Sequence, residues 1–371
     1  MGDVLMATPV VELLRKALPE AYLAMMVGPW AAEVARRDPL VDEVVVCPFP
    51  GFTRAPGRSP LAPYGLLWRA SSELMRESYH AALLLRFDHW WGAWLAAAAG
   101  LPLRIGHGVG ECAPFLTHAL EPPGRVHWVE QGLRTARRLL EVWGMETEAA
   151  RRSPAVVVPS RPQRRRGDST AHATGLAVGW PPLRFGLEER DEARASSLWS
   201  ELQLDPARKV VVFHPGAGSP LKHWPERHWI DLGWAMAAKG MQVVVTGSQA
   251  ESVMARRIAA AVPEGRVLAG RTPLGTLAAI LHRCDLVVGV DSGPLHLAVA
   301  METPTVHIFG PSDPAVFGPW GDPAIHRVVA SEWPGAPCSR LDLALPAGGS
   351  PPCMEAITPE RVALECEEVL P

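Results

Sequence analysis

Apolar positions along this chain switch between two periods. Short β-branched runs such as Val210–Phe213 (VVVF) and Leu286–Val290 (LVVGV) suit strands buried on both faces. Between such runs, apolar residues recur three and four apart, the period of an amphipathic helix. In the first half the spacing predicts helices over Val4–Leu18, Trp30–Arg37, Leu66–Tyr79, Trp90–Ala99 and His127–Trp143. Strands are predicted there at Ala21–Val27, Glu43–Cys47, Ala81–Arg86 and Arg104–Ile105, with Pro48–Pro63 as a Pro- and Gly-rich loop. In the second half strands are predicted at Val210–Phe213, Gln242–Thr246, Val267–Leu268, Leu286–Val290 and Thr305–Phe309. Helices are predicted at Glu188–Leu202, Pro225–Lys239, Glu251–Ala261, Leu274–His282, from Pro294, and at Pro359–Val369.

Such alternation predicts an α/β protein with parallel, doubly wound sheets. The alternation fails at Arg151–Phe185, which holds several Pro and Gly, the basic cluster Arg164–Arg166 and no clear apolar period. The expected organisation is therefore a Rossmann-like domain over residues 1–150, a linker over 151–186, and a second Rossmann-like domain over 187–330. A Pro-rich segment with a final helix would complete residues 331–371. Two such halves are expected to face each other across a cleft, where open sheets of this kind take their ligands.

Composition narrows the class. The chain has 371 residues, 48% apolar and 20% charged, with a formal net charge of −3, which gives no electrostatic case for nucleic-acid binding. Arg15, Lys16, Arg36, Arg37, Arg54, Arg58, Arg69 and Arg76 crowd the first part, where they suit an anionic acceptor, a membrane surface or simply solvated helix faces. The six cysteines form no close pair of the metal-binding kind. No apolar run reaches the roughly 20 residues that span a bilayer, and the opening residues, with Asp3 before any basic region, are not expected to be a signal peptide. A reduced, cytoplasmic setting is expected, with no metal.

Two stretches carry candidate chemistry. Phe213–Glu226 (FHPGAGSPLKHWPE) leaves a buried strand through a glycine-rich turn and enters a helix. Gly216 and Gly218 are expected to allow close backbone approach and positive φ. Ser219 adds a hydroxyl and Lys222 a charge, together a diphosphate grip. The spacing is not that of a P-loop. In the second stretch, Asp291, Ser292 and Gly293 end a strand, and Pro294 suits the first turn of a helix. That junction either binds phosphate at the helix tip or is an ordinary capped βα turn.

HPGAGSPLKHWP, followed by VDSGPLHLAVAMETPTVHIFGPSDP, resembles glycosyltransferase family 9, which contains the ADP-heptose:lipopolysaccharide heptosyltransferases. The opening GDVLMATPVVELLRKALPEA and the late CMEAITPERV resemble the family's first motif and its tail. The resemblance implies a GT-B fold and an inverting, metal-independent transfer that needs no cofactor. The sugar would come from a nucleotide diphosphate, with ADP-heptose as the candidate donor, and pass to a glycan or glycolipid acceptor. The first domain would hold the acceptor and the second the donor. By motif, Asp3 corresponds to the family's proposed base, and Asp291, Ser292, Gly293 and His296 match its D-[ST]-G-x-x-H element. Lys222 would meet the leaving diphosphate.

Each residue keeps a second reading: Asp3 as a helix cap, His296 as a packed core histidine, and His223 and Trp224 as packing beside Lys222. Glu251 either meets ribose hydroxyls or steadies its own helix N-terminus. Two departures from the family stand out. A strand and a Gly-containing loop normally precede the Gly-Asp pair, so the first domain is expected to lack its first strand, either because the genuine start lies upstream or because the domain is degenerate. Ala217 and Gly218 also stand where relatives carry hydroxyls, leaving phosphate contacts to backbone N–H groups and Ser219. A GT-B nucleotide-sugar epimerase or hydrolase, or a non-catalytic sugar-nucleotide-binding protein, is the alternative. Peripheral contact with the inner membrane surface would bring the enzyme to a lipid-linked acceptor.

Overall fold

The structure, a computed structural model, describes residues 1–50, 61–145, 181–341 and 349–370. Contacts divide it into two compact units: Met1 with Met6–Pro154, and Gly2–Leu5 with Ala155–Pro371. Most of the expected linker lies outside the described residues.

In the first unit, β1 (Ala24–Val27) pairs in parallel with β2 (Glu43–Val46). β3 (Ala81–Leu84), β4 (Leu103–His107) and β5 (His118–Leu120) form a separate parallel sheet. Among the described residues the strands of this unit stand as two separate parallel sheets. Cys47, Phe49, Leu67, Ala70, Trp91 and Leu95 form one buried cluster here. The helix Trp128–Val142 buries Leu133, Ala136, Leu139 and Leu140, and His127 caps it by accepting from the Val129 N–H at 3.2 Å.

The helix expected over Val4–Leu18 is two helices, Gly2–Leu5 and Thr8–Ala17. Pro9, which has no N–H to give, sits in the first turn of the second. The break frees the first piece to pack with the other unit.

That second unit is a six-stranded, all-parallel sheet. Its strands are β6 (Val210–His214), β7 (Gln242–Val245), β8 (Arg266–Val267), β9 (Leu286–Val290), β10 (Thr305–Phe309) and β11 (His326–Ala330). Across the sheet the order is β11-β10-β9-β6-β7-β8. Successive strands thus run one way from β6 and, after β8, restart on its other side. The reversal falls between β6 and β9, where Val211 pairs with Leu286 and His214 with Gly289. At such a switch point the connections leave the strand ends in opposite directions and open a crevice.

Every residue of β6, β9 and β10 is buried, as β-branched runs in a sheet covered on both faces require. The helix Gly293–Ala300 lies close over β9. A Cβ at Gly289 would stand 2.1 Å from Leu295 Cδ2 and 3.0 Å from the His214 carbonyl oxygen, so only glycine fits. On the other side, Trp224 and Trp229 meet edge to face at 5.1 Å and cover Phe213. The Trp224 indole N–H donates to the Ile357 carbonyl at 2.9 Å, joining the loop after β6 to the C-terminal segment. The last helix, Pro359–Val369, buries Val362, Cys366 and Val369, and Glu365 pairs with Arg327 of β11 at 2.7 Å.

Candidate active site

β6 ends at His214 and releases the chain into Pro215–Ser219, a short 3-10 turn at Pro220–Lys222, and then the helix Glu226–Ala238. Ser219 caps the 3-10 turn, its hydroxyl accepting from the Leu221 N–H at 3.3 Å. Buried Trp224 pins the loop from behind. Lys222 is therefore held on a turn fixed at both ends. Its ammonium reaches across the switch point to Asp291 at the end of β9, 2.6 Å from Oδ2. Both side chains are largely buried, 19% and 7% exposed, so water screens the pair weakly. An ammonium carries three N–H donors, and one carboxylate oxygen takes only one of them.

Beyond Asp291, Ser292 stands at the N-cap of Gly293–Ala300 with extended backbone, but its hydroxyl makes no capping bond. Its Oγ is buried without a hydrogen-bond partner. Pro294 brings no N–H to this turn, and the Leu295 N–H donates to the Ser292 carbonyl. The helix tip thus offers fewer N–H groups than an ordinary one, and Asp291 itself answers its positive end.

The helix Gly2–Leu5 packs against this tip. A Cβ at Gly2 would lie 3.2 Å from His296 Cδ2 and 3.5 Å from Gly293 Cα, so the helix packs tightly on this tip. Asp3, exposed, follows directly. His296 is buried, its Nδ1 without a partner. Burial pushes this imidazole down from its ordinary value, against the opposing pull of Asp291 and Asp3 and with the help of Lys222. The Lys222–Asp291 pair and the Gly2–Leu5 helix, which carries Asp3, thus both border His296 and the tip of its helix.

Glu251 belongs to the adjoining wall. It precedes the helix Ser252–Ala261 after β7, and its Oε2 accepts from the Ser248 N–H at 2.6 Å. Its carboxylate lies over Gly216, where a Cβ would come within 2.0 Å of Oε1. Close approach is thus why Gly216 is glycine. The positive φ expected at Gly216 and Gly218 is not adopted: neither is among the left-handed glycines, such as Gly240 and Gly270. The backbone needs no left-handed step here because the turn is made by the 3-10 segment instead.

Sequence reasoning passed over His214 and Ser312. His214 ends β6, buried, with Nδ1 3.0 Å from the Thr246 hydroxyl at the end of β7. Thr246 Oγ1 donates to the Phe213 carbonyl at 3.1 Å, so it accepts from His214, which fixes the proton on Nδ1. Burial pushes this imidazole down to about 4, although Glu251 pulls it up. Ser312, in the loop after β10, has a buried Oγ without a partner, as Ser292 does after the neighbouring β9. Both lie inside the quoted motif stretches, His214 opening HPGAGSPLKHWP and Ser312 near the end of VDSGPLHLAVAMETPTVHIFGPSDP; their place at the carboxyl edge of the sheet is the signal that singles them out.

The family description of glycosyltransferase family 9 (heptosyltransferase) matches residues 67–344, three quarters of the chain. The chain belongs to glycosyltransferase family 9. The matched stretch includes Gly216–Lys222, Glu251 and Asp291–His296, and it begins after Asp3. Among relatives of this family 9 glycosyltransferase, lipopolysaccharide heptosyltransferase 1 of Pseudomonas aeruginosa is 34% identical over 181 residues, 45% of this chain and 49% of that protein. Lipopolysaccharide heptosyltransferase 2 of Escherichia coli K12 is 27% identical over 322 residues, 85% of this chain and 81% of that one. The chain therefore matches about half the length of the first and four fifths of the second. In fold, the solved ADP-heptose LPS heptosyltransferase II of E. coli covers 100% of this chain and 95% of its own, at a TM-score of 0.69 and 23% identity. The expected GT-B fold is thereby established.

Proposed function

We propose that this glycosyltransferase moves heptose from ADP-heptose to a lipopolysaccharide-like acceptor, with inversion and without a metal ion. The observation that carries the reading is the Lys222–Asp291 pair at the switch point of the second unit, with Gly2, next to Asp3 in the chain, packed against His296 and Gly293. In the reaction, the acceptor hydroxyl attacks the anomeric carbon from the face opposite the diphosphate. The Asp3 carboxylate takes the hydroxyl proton as the new C–O bond forms. The old bond to the diphosphate oxygen breaks with its electron pair, and ADP leaves with the charge. Lys222 and the Gly293 backbone N–H receive that charge where it grows. A single displacement inverts the anomeric carbon.

The other residues assist. Asp291 holds the Lys222 ammonium in place. Gly216, Gly218 and Ser219 bring backbone N–H groups and a hydroxyl to the diphosphate. Glu251, anchored on the Ser248 N–H, accepts from ribose hydroxyls. Ser292 Oγ and the neutral His296 give the sugar hydrogen-bonding partners. The enzyme works on the cytoplasmic face of the inner membrane, touching it peripherally; no helix among the described residues is long and apolar enough to cross a bilayer.

Release of ADP from ADP-heptose in the presence of a lipopolysaccharide precursor tests the reading, with the product's anomeric configuration read by NMR. The expected result is acceptor-dependent release and an inverted linkage. Turnover of donor without acceptor would instead assign a hydrolase or epimerase.

A further inference from the structure

The helix Ala62–Glu77 of the first unit buries Leu67 and Ala70 against Trp91 and Leu95, as an amphipathic helix should. Its outer face is less ordinary. Leu61, Tyr64, Trp68 and Met75 are 71%, 59%, 77% and 52% exposed. At 100° per residue these four fall within an arc of about 60°, a second apolar stripe turned away from the core. Tyr64 continues it onto the next helix, meeting Trp94 edge to face at 5.9 Å. Trp94 in turn stacks on Trp90 at 6.1 Å, and Trp90 is itself exposed. Scattered exposed apolar residues are normal, but a contiguous aromatic patch marks an interaction surface.

The charges beside the stripe select the partner. Arg69 and Arg76 lie about 60° to 80° round the helix from Leu61, nearer the stripe than any carboxylate of this helix. Glu73 and Glu77 lie farther round, toward the buried side. Both arginines are exposed and make no ion pair among the described residues. Trp and Tyr prefer the headgroup level of a bilayer, with the ring in the acyl boundary and the polar edge in water. Arginines at the same level meet lipid phosphates. A helix with these residues lies in the plane of a membrane surface.

We infer that the exposed face of Ala62–Glu77, with Leu61 and Trp90 beside it, docks the enzyme on an anionic phospholipid surface. The inference rests on the proposal of a lipid-linked acceptor and names the surface that would bring the enzyme to it. Vesicle binding needs neither donor nor acceptor, so it can fail or succeed independently of the transferase assay.

The test is co-sedimentation of the full chain with phosphatidylcholine vesicles, with and without phosphatidylglycerol, across a salt series. The wild type should pellet with the mixed vesicles and lose binding as salt rises. Leu61→Ser/Trp68→Ser should lower the partition coefficient at least tenfold, and Arg69→Gln/Arg76→Gln about fivefold per arginine, the worth of one charge near such a surface. Circular dichroism and melting temperature should match the wild type, because these side chains touch little of the core. Donor turnover on a water-soluble, deacylated acceptor should be unchanged in both variants. Equal sedimentation of all three proteins, or none with mixed vesicles, would overturn the inference. So would a concentration-dependent dimer that Leu61→Ser/Trp68→Ser abolishes, since the face would then belong to a second copy of the chain.

Discussion

Gly216 and Glu251 compete for one volume, and that makes their roles separable. In Gly216→Ala the new methyl would sit 2.0 Å from Glu251 Oε1. The atom in the way ends a flexible side chain, so the fold should survive with a stability change of about 1 kcal/mol or less. The carboxylate, however, must leave its place. Titration calorimetry with ADP should show about tenfold weaker binding in Gly216→Ala, the same in Glu251→Gln, and little further loss in the double variant. Additive losses would mean that the two residues act separately. For the ion pair, Lys222→Met should cost on the order of 3 kcal/mol in urea denaturation, because Asp291 keeps a buried charge without a partner. Lys222→Met/Asp291→Asn should recover most of that stability. It should still show about a hundredfold lower kcat, since the leaving diphosphate has lost its cation. The buried histidines set the acid limit. His214 and His326 are both pushed down to about 4 by burial, from an ordinary 6.5. Their contribution to stability is therefore complete above the unfolded value and is lost as pH falls toward the folded one. In that window the unfolded chain binds protons the folded chain refuses, worth up to about 1.4 kcal/mol per pH unit for each group. Denaturation midpoints measured from about pH 7 to about pH 5 should fall steeply, and a flat profile would contradict the burial argument. Sequence alone offered Lys222 and Asp291 as separate site residues. It could not show that they neutralise each other, because their contact spans two strands that only the sheet order makes neighbours.

Among the elements, those bounded by sharp chemistry were the most legible. Leu286–Val290, Thr305–Phe309 and Pro359–Val369 occur with the bounds the spacing predicts. Each is an unbroken apolar or amphipathic run between turn residues, so local pattern and burial agree. β5 (His118–Leu120) and β11 (His326–Ala330) gave no such pattern. They begin with histidine and owe their conformation to a neighbouring strand rather than to their own apolar content. Helix placement on the sheet was equally hidden. Gly289 reads as a weak residue within a strand, yet it is what lets Leu295 close down on β9. Gly289→Ala should lift the Gly293–Ala300 helix, which carries Ser292, Gly293 and His296. Because a backbone oxygen and a packed leucine both stand in the way, a loss of about 2 kcal/mol or more is expected in thermal denaturation, together with weaker ADP binding. A variant with the wild type's melting temperature and affinity would show that the helix seat is not what shapes the site.

At the scale of the molecule, the parallel sheets of both units and the doubly wound order of the second followed from strand–helix alternation, and the family from two motifs about seventy residues apart. Alternation alone did not show that the first unit's described strands divide into two separate parallel sheets. The packing of Gly2–Leu5 with the second unit had no signature in the apolar spacing; only the family motif that makes Asp3 the base pointed to it. The chain breaks at Met6 and Ala7, and Gly2 then packs closely on His296. That packing brings an acid to the wall that carries Lys222 and Asp291, and the proposed chemistry depends on it. The most direct test is Asp3→Asn, with kcat for heptose transfer and the dissociation constant for ADP-heptose measured on the same preparation. The account predicts kcat lower by about 10² to 10⁴ with donor affinity within a factor of about two. Unchanged turnover in Asp3→Asn would contradict it.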